Sequence, residues 1–256
     1  MQAFAIPGLA FVTTVATGFA LGVALGISGL GGGTVLTPLL ILWFRLPAAV
    51  AVGTSIAFSL ATKVVGGLQH LRQGTIHRPT VIWLAMGSLP GAIATSLWLG
   101  SWGRHALSEG ALQHLLGVVI VASAAVMTLR LLGLLQSLRR PLPKYALIPV
   151  GAVLGAVFAL TSVGSGSLTL AVLIVLSSLT TARLVGTDVS HAALMAAATA
   201  PIYLLRGDVD LSLLLPLLLG SLPGVVIGSK LAARVPERLI KGTVLVTAWA
   251  IAARLV

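Results

Sequence analysis

Residues 26–40 of the chain read GISGLGGGTVLTPLL, so four glycines between positions 29 and 33 interrupt an apolar sequence. Residues 162–167, which read SVGSGS, interrupt a second apolar sequence in the same way. The apolar segments that follow, 33–45 and 166–179, are short. A helix rises about 1.5 Å per residue, so neither segment reaches the roughly 30 Å thickness of a bilayer core. Each interruption therefore predicts a broken helix with a short second part.

The composition around the two interruptions is typical of a membrane protein. Of the 256 residues, 57% are apolar and only 8% are charged, and the mean hydropathy is +1.09. A soluble domain has about 25% charged residues. The low charge excludes an ordinary soluble enzyme, a disordered protein and a coiled coil. Ten apolar segments, most of them with the roughly 20 residues of a spanning helix, predict an all-α integral membrane protein with interrupted helices at the midplane. Whether the two short segments cross the membrane or re-enter on one side stays open.

An internal repeat relates the two interruptions at an offset of 133 residues. Glycines of the first half align with glycines of the second: Gly22 with Gly155, Gly31 with Gly164, Gly33 with Gly166, and Gly53 with Gly186. The pentapeptide GSLPG at 87–91 recurs at 220–224. We therefore divide the chain into a first transmembrane repeat at 1–133, a basic cytoplasmic linker at 134–144 and a second transmembrane repeat at 145–256.

The basic residues predict the orientation of the repeats. Counting outward from a cytoplasmic 130–144 segment places eleven Lys and Arg residues on the cytoplasmic side and four on the other. Cytoplasmic loops carry an excess of Lys and Arg, so we expect both termini outside. Five segments per half is an odd number, so the second half is inverted relative to the first. The net charge of +11 then reflects loops that meet anionic lipid headgroups.

The interruptions predict a binding site for an anion. Non-helical backbone within a bilayer is tolerated where protein or a water-filled cavity satisfies it, and equivalent breaks in inverted halves are typical of transporter sites. Helix starts after the breaks offer N–H groups and partial positive charge. The alternative is that the glycines only permit close helix packing. The candidate substrate-binding residues of the breaks are Gly31, Gly32, Gly33, Thr34, Gly164, Ser165, Gly166 and Ser167.

Three ionisable residues inside apolar segments are further candidates. Lys63 is a candidate to neutralise a bound anion, since a cation within a span is costly unless it is paired or hydrated; snorkelling or an interhelical hydrogen bond is the alternative. Asp188 and His191 are three residues apart on one helical face, and histidine titrates near neutral pH. The pair is a candidate for proton coupling, with a structural bridge between helices or to the broken backbone as the alternative.

The quoted motifs resemble the TauE/SafE family of sulfite and organosulfonate exporters. The resemblance rests on the 26–40 run, on VGTS at 52–55, on GSLPG at 87–91 and on the second-half copies VGTD and GSLPG, and it covers about residues 8–254. It implies an inner-membrane permease for anions such as sulfite, sulfoacetate or related sulfonates, driven by an ion gradient. It also extends the candidate site to the Gly-Thr helix starts, and hence to Thr54 and Thr187.

Together these observations predict a secondary transporter that exports a small sulfur-containing anion by alternating access. A passive anion channel and an uptake permease are the alternatives. We expect no enzyme, because the chain has no cysteine and no HExxH, GxSxG or paired catalytic carboxylates. We expect no cofactor and no metal. The expected partners are the small anionic substrate and the lipid bilayer, but not nucleic acid, and a homo-oligomer stays an open alternative.

Overall fold

A computed structural model describes residues 8–28, 33–103, 108–137, 140, 143–164 and 166–232. Over these ranges the regular secondary structure is helical and contains no strand. The α-helices are α1 Gly8–Ser28, α2 Gly33–Leu42, α3 Ala48–Arg72, α4 Arg78–Trp98, α5 Glu109–Leu131, α6 Leu134–Ser137, α7 Leu147–Thr161, α8 Leu168–Leu176, α9 Thr181–Leu205 and α10 Leu211–Ala232. Helix α4 continues into a π-helical turn at Leu99–Gly103, and a 3₁₀ turn at Lys144–Ala146 precedes α7.

Five helices in the described ranges are long and apolar enough to cross a membrane. Their spans are Ala48–Arg72, Arg78–Ser101, Lys144–Thr161, Ala182–Leu205 and Leu211–Gly228. A bilayer offers the backbone no hydrogen-bond partners, so an apolar segment satisfies its own N–H and C=O groups as a helix. The all-α prediction is confirmed for the described residues. The tenth apolar segment, predicted at 238–255, lies outside them.

The helices after the two interruptions are short, as the sequence predicted. Helix α2 has 10 residues and α8 has 9. At about 1.5 Å per residue, each extends for about half the thickness of a bilayer core or less. Buried residues lie along both helices, including Leu36 and Leu40 on α2 and Leu173 on α8. The two short helices are therefore packed within the protein.

Helices α3 and α9 pack against each other in antiparallel orientation. Gly53, near the start of α3, lies against the Asp208 carbonyl just beyond the end of α9, whereas Gly66 lies near Val189 at the start of α9. Tyr203 is fully buried in this region, and its hydroxyl donates a 2.5 Å hydrogen bond to the Ala159 carbonyl of α7. This pair forms the centre to which the broken helices attach.

Two lateral helix pairs flank that centre, and each joins the halves of the chain. Helix α1 packs along α10, and α4 packs along α7. A Cβ atom at Gly22 would collide with the Ser221 carbonyl, and one at Gly155 would collide with the Ser88 carbonyl. Small residues at membrane helix interfaces allow this close backbone approach. Glycine at these two positions therefore decides how closely the pairs pack.

The turns at 73–77 and 206–210 each contact the other half of the chain. The backbone N–H of His77 donates to the Thr187 hydroxyl at 3.0 Å, and the N–H of Asp210 donates to the Thr54 hydroxyl at 2.9 Å. Both turns contain a glycine with positive φ, 66° at Gly74 and 75° at Gly207. Each turn is thereby attached near the start of α9 or α3.

The two turns differ in charge. Arg206 forms a 2.8 Å ion pair with Asp208, donates a 2.7 Å hydrogen bond to the Ser96 carbonyl of α4 and lies over the Tyr203 ring. At the other turn, burial and the positive charges of Arg183 and Lys144 lower the pKa of His77. His77 is therefore neutral at neutral pH, and its Nδ1 lies 2.7 Å from the Thr80 hydroxyl.

Candidate functional site

The second interruption is a well-defined break between α7 and α8. Helix α7 ends at Thr161, and Ser162 adopts a left-handed conformation with φ of 56°. Gly164 and Gly166 have φ of 128° and 86°, values that residues other than glycine rarely adopt. Ser167 then precedes the first residue of α8. Ser165 lies outside the described residues. The small residues of this segment therefore permit non-helical backbone between α7 and α8.

The first interruption separates α1 from α2, and part of it lies outside the described residues. Gly31 and Gly32 belong to the part that is not described, whereas Gly33 and Thr34 form the first turn of α2. Both are buried. The candidate site thus includes the start of α2, at which the first N–H groups have no carbonyl partner within the helix.

The two interrupted helices meet. The backbone of Gly33 lies so close to Ser162 that a Cβ atom at position 33 would collide with the Ser162 carbonyl oxygen. The hydroxyls of Thr37 on α2 and Ser162 also form a hydrogen bond. Thr37 and Ser162 are both 0% exposed. Contact between the breaks therefore occurs in the interior of the protein, and the sequence analysis did not single out Thr37.

Asp188 is bonded to the second break. Its Oδ1 accepts a 3.2 Å hydrogen bond from the backbone N–H of Gly166, and the residue is 1% exposed. The bond to the broken backbone was the structural alternative that the sequence left open for this residue. A carboxylate at that place compensates the partial positive charge near the start of α8. Asp188 thus connects α9 to the break.

His191 contacts a different element. Its Nε2 lies 2.7 Å from the hydroxyl of Ser88 on α4, and the ring is fully buried. Its Nδ1 has no hydrogen-bond partner in the part of the chain that the structure describes. The sequence placed Asp188 and His191 on one face of a helix, and the structure shows that they reach two separate partners. Ser88 belongs to the first GSLPG pentapeptide, which the sequence analysis treated as a repeat marker.

Lys63 is buried at 6% exposure on α3. An isolated ammonium group in this environment would be unfavourable. Burial at this position therefore favours a negatively charged partner for the Lys63 side chain.

Several hydroxyls on α3 and at the start of α8 are buried without partners. The affected groups are Ser55 and Ser59 on α3, and Ser167 and Thr169 at the start of α8; none has a hydrogen-bond partner among the residues described. A buried polar group without a partner is unfavourable, so such groups indicate a place for a ligand or water. Ser59 was missed by the sequence analysis. Its spacing of four residues from both Ser55 and Lys63, inside an apolar helix, was the signal that could have found it.

Thr54 and Thr187 have assigned contacts in this structure. Their hydroxyl oxygens accept the N–H groups of the 206–210 and 73–77 turns described above. A hydroxyl that accepts a hydrogen bond can still donate its own hydrogen. The two Gly-Thr pairs were expected at helix starts, but they lie in the second turn of α3 and of α9. They hold the two turns, and Thr187 directly precedes Asp188, which contacts the second break.

The chemistry of the assembled site suits an anion with several oxygen atoms. Backbone N–H groups at the breaks, serine and threonine hydroxyls and the Lys63 ammonium group are all hydrogen-bond donors. The groups come from both halves of the chain. Donors of these kinds stabilise negative charge.

Comparisons with known proteins agree with a role in membrane transport. The family model described as sulfite exporter TauE/SafE matches residues 14–255. The probable membrane transporter protein YjnA of Bacillus subtilis strain 168 is 36% identical over 241 residues, which cover 89% of this chain and 92% of that protein. The probable membrane transporter protein YdhB of the same strain is 28% identical over 237 residues, 90% of this chain and 93% of that protein. No solved structure matches the chain significantly.

The family match confirms the resemblance that the 26–40, 52–55 and 87–91 motifs indicated. Its extent from residue 14 to residue 255 includes both interruptions and both Gly-Thr pairs. Both relatives are named as probable membrane transporter proteins. The chain is a membrane transporter and belongs to the TauE/SafE sulfite exporter family.

Proposed function

We propose that this transporter exports a small sulfur-containing anion, such as sulfite, sulfoacetate or another organosulfonate, by alternating access of two inverted repeats. Export is coupled to an ion gradient across the inner membrane. The observation that carries the proposal is the contact between the two broken helices, Gly33 against Ser162. Ser162 lies four residues before Gly166, whose backbone N–H donates to the Asp188 carboxylate.

The donor chemistry supports an anionic substrate. The proposed anion lies between the breaks and is held by the first N–H groups of α2 and α8 and by the hydroxyls of Thr34, Ser165 and Ser167. Thr54 and Thr187 are included as donors from the two Gly-Thr pairs. Lys63 supplies the positive charge. The family is described as a sulfite exporter family, and this supports the choice of sulfite among the possible anions.

Matching contacts support the inverted repeat. Several close approaches between the halves have a counterpart 133 residues away: Gly22 at Ser221 matches Gly155 at Ser88, and Gly53 at Asp208 matches Gly186 at Thr75. The hydrogen bond from His77 to Thr187 likewise matches the bond from Asp210 to Thr54. A pseudo-two-fold axis between the antiparallel helices α3 and α9 would relate these contacts.

Coupling to protons is proposed to involve Asp188 and His191. Asp188 connects the second break to α9, and His191 connects α9 to α4. A change of protonation at either residue would therefore alter a contact between elements that move when one half rocks against the other. The transport direction follows from the gradients, and an inside-negative potential favours the exit of an anion.

Transport by purified protein in liposomes tests the proposal. We expect saturable movement of [³⁵S]sulfite that responds to an imposed pH gradient. Lys63→Ala should weaken the apparent affinity, whereas Lys144→Ala, at an exposed position in the basic linker, should not. Absence of any sulfite, sulfoacetate or sulfonate flux would contradict the proposed substrate class. Flux that neither saturates nor responds to the pH gradient would favour a passive channel instead.

A further inference from the structure

We propose that Asp188 and the substrate anion compete for the same donors at the start of α8, so that the anion binds there only when Asp188 is protonated. The inference rests on the proposed function, because it specifies what a proton does when the transported anion binds. It also adds the hydroxyl of Thr169 to the groups that hold the anion.

The start of α8 already binds an acidic side chain. The backbone N–H of Gly166 donates a 3.2 Å hydrogen bond to Oδ1 of Asp188, a residue that is 1% exposed. A carboxylate near a helix start is bound by the same forces that bind an oxyanion there, namely N–H donors and the positive end of the helix dipole. An anion that replaces the carboxylate therefore meets a donor that is already in position.

Two buried hydroxyls belong to the same turn of the chain. The backbone N–H of Thr169 donates a 2.8 Å hydrogen bond to the Gly164 carbonyl, which closes the turn around Gly166. The hydroxyls of Ser167 and Thr169 are buried and have no hydrogen-bond partner among the residues described. Ser167 occupies the N-cap position of α8, where a serine hydroxyl usually accepts an N–H of its own helix, but it makes no such bond. Both hydroxyls are therefore available to an anion with several oxygen atoms.

Few ionisable groups lie on the elements around Asp188. Helix α3 passes it at Gly66, where an added Cβ would lie 3.3 Å from the side chain that follows Asp188; Lys63 and His70 lie one turn to either side of that glycine. On α9 itself, His191 lies one turn away. Helices α2, α7 and α8 contain no ionisable residue, and α4 has one only at its first position. Asp188 is therefore the only acidic residue within these six helices.

Protonation of Asp188 resolves the conflict between the two negative groups. An anion beside the ionised carboxylate is strongly unfavourable, because the protein interior screens like charges weakly. A proton on Asp188 removes its charge and weakens its hold on the Gly166 N–H. One proton therefore passes from the solution to the carboxylate for each anion that enters, and it is released when the anion leaves. A sulfite dianion that moves with this proton carries one net negative charge, so the inside-negative potential still favours its exit.

Equilibrium binding of [³⁵S]sulfite to the purified full-length protein at several pH values tests the competition. Asp188→Asn keeps an oxygen that accepts the Gly166 N–H but has no charge. At neutral and alkaline pH this variant should bind sulfite about tenfold or more tightly than the wild type, because like charges placed together are unfavourable. The difference should decrease as the pH is lowered, since Asp188 of the wild type is then protonated. The ratio of the two affinities at each pH removes the titration of sulfite itself.

A second pair of variants tests the place of the anion. Thr169→Val keeps the shape of the side chain without its hydroxyl and should weaken sulfite binding about tenfold, because the lost hydrogen bond is made to a charged group. Thr199→Val is the matched control: Thr199 is also fully buried, but its hydroxyl bonds at 2.8 Å to the Met195 carbonyl of its own helix. The control should change the affinity by less than about threefold.

The outcomes separate the two proposals. If neither the wild type nor Asp188→Asn binds sulfite at any pH, the proposed function fails for this substrate and the inference fails with it. If the wild type binds sulfite and Asp188→Asn binds it equally or more weakly at every pH, only the competition is overturned. Equal affinities of Thr169→Val and Thr199→Val would overturn the place of the anion at the start of α8. Thermal unfolding identifies variants that do not fold, and Asp188→Ser replaces Asp188→Asn if the latter is among them.

Discussion

At the scale of single residues, the interior of this transporter keeps polar groups that a purely structural membrane bundle would not need. Lys63, Asp188 and His191 are all buried, and so are several serine and threonine hydroxyls. Ionisable residues within membrane spans are costly and usually functional. The burial and partners of these groups lead to two predictions that differ in what they measure.

Lys63 should contribute to affinity through its charge. We expect Lys63→Met to raise the apparent KM for sulfite about tenfold, since a hydrogen bond to a charged group contributes about 1.5–3 kcal/mol. Lys63→Arg retains the charge and should lose less. Initial rates of [³⁵S]sulfite transport in proteoliposomes measure both variants. Equal KM values for Lys63→Met and the wild type would show that the ammonium group does not meet the anion.

The Ser88–His191 contact should contribute to stability. Ser88→Ala leaves Nε2 of a fully buried imidazole without its 2.7 Å partner. A hydrogen bond between membrane helices contributes about 0.6–2 kcal/mol, so we expect a lower unfolding temperature in detergent. Ser101→Ala is the matched control, because the Ser101 hydroxyl is exposed and bonds only to its own helical turn. A similar decrease of the unfolding temperature in both variants would argue against the contact between α4 and α9.

At the scale of helices, the broken helices and the lateral helix pairs have different structural roles. The broken helices place non-helical backbone in the interior, where Gly33 meets Ser162. The lateral pairs α1–α10 and α4–α7 hold the halves together through close backbone approach. Glycine is suited to both roles. In the break it adopts positive φ angles, and in the lateral pairs its lack of a side chain allows the backbones to come close.

The lateral pairs should be sensitive to added volume. Gly155→Val places a branched side chain against the Ser88 carbonyl, and we expect a loss of stability of about 1–3 kcal/mol or more from overpacking. Gly67→Ala is the control on another helix, because no atom lies within 4 Å of a Cβ at that position. That control should be neutral or slightly stabilising, since alanine favours a helix over glycine. Detergent-solubilised thermal unfolding, followed by transport of the folded fraction, compares the two.

At the scale of the whole molecule, orientation follows from the distribution of Lys and Arg. When successive loops are assigned alternately to the two sides of the membrane, most of the basic residues fall on one side. The positive-inside rule places that side in the cytoplasm. Because the chain contains no cysteine, single introduced thiols report the orientation without background.

Thiol labelling should distinguish the two faces. Gln73→Cys lies in an exposed turn on the predicted cytoplasmic side, and Ser108→Cys is exposed on the predicted outer side. A membrane-impermeant maleimide applied to intact cells should label Ser108→Cys only, and permeabilised cells should show both. If intact cells label Gln73→Cys but not Ser108→Cys, the topology is the inverse of the predicted one and the termini lie inside. Labelling of both in intact cells would contradict the assigned alternation of loops.

The sequence by itself determined the class of the protein, the two interruptions, the short helices behind them and the family. These features are local or compositional: apolar runs, glycine clusters and recurring pentapeptides are visible without knowledge of packing. Lys63, Asp188 and His191 stand out for the same reason, as ionisable residues in apolar segments. The inverted repeat and the substrate site were also predicted in this way, and they stay predictions.

Only the tertiary structure decided which groups these residues meet. Asp188 bonds to Gly166, His191 to Ser88 and Thr37 to Ser162, and Ser59 joins the buried hydroxyls. The physical reason is that two of these contacts join helices more than a hundred residues apart. Such contacts depend on how glycine-lined helix faces pack, whereas a periodic sequence pattern specifies only which face of its own helix a residue occupies.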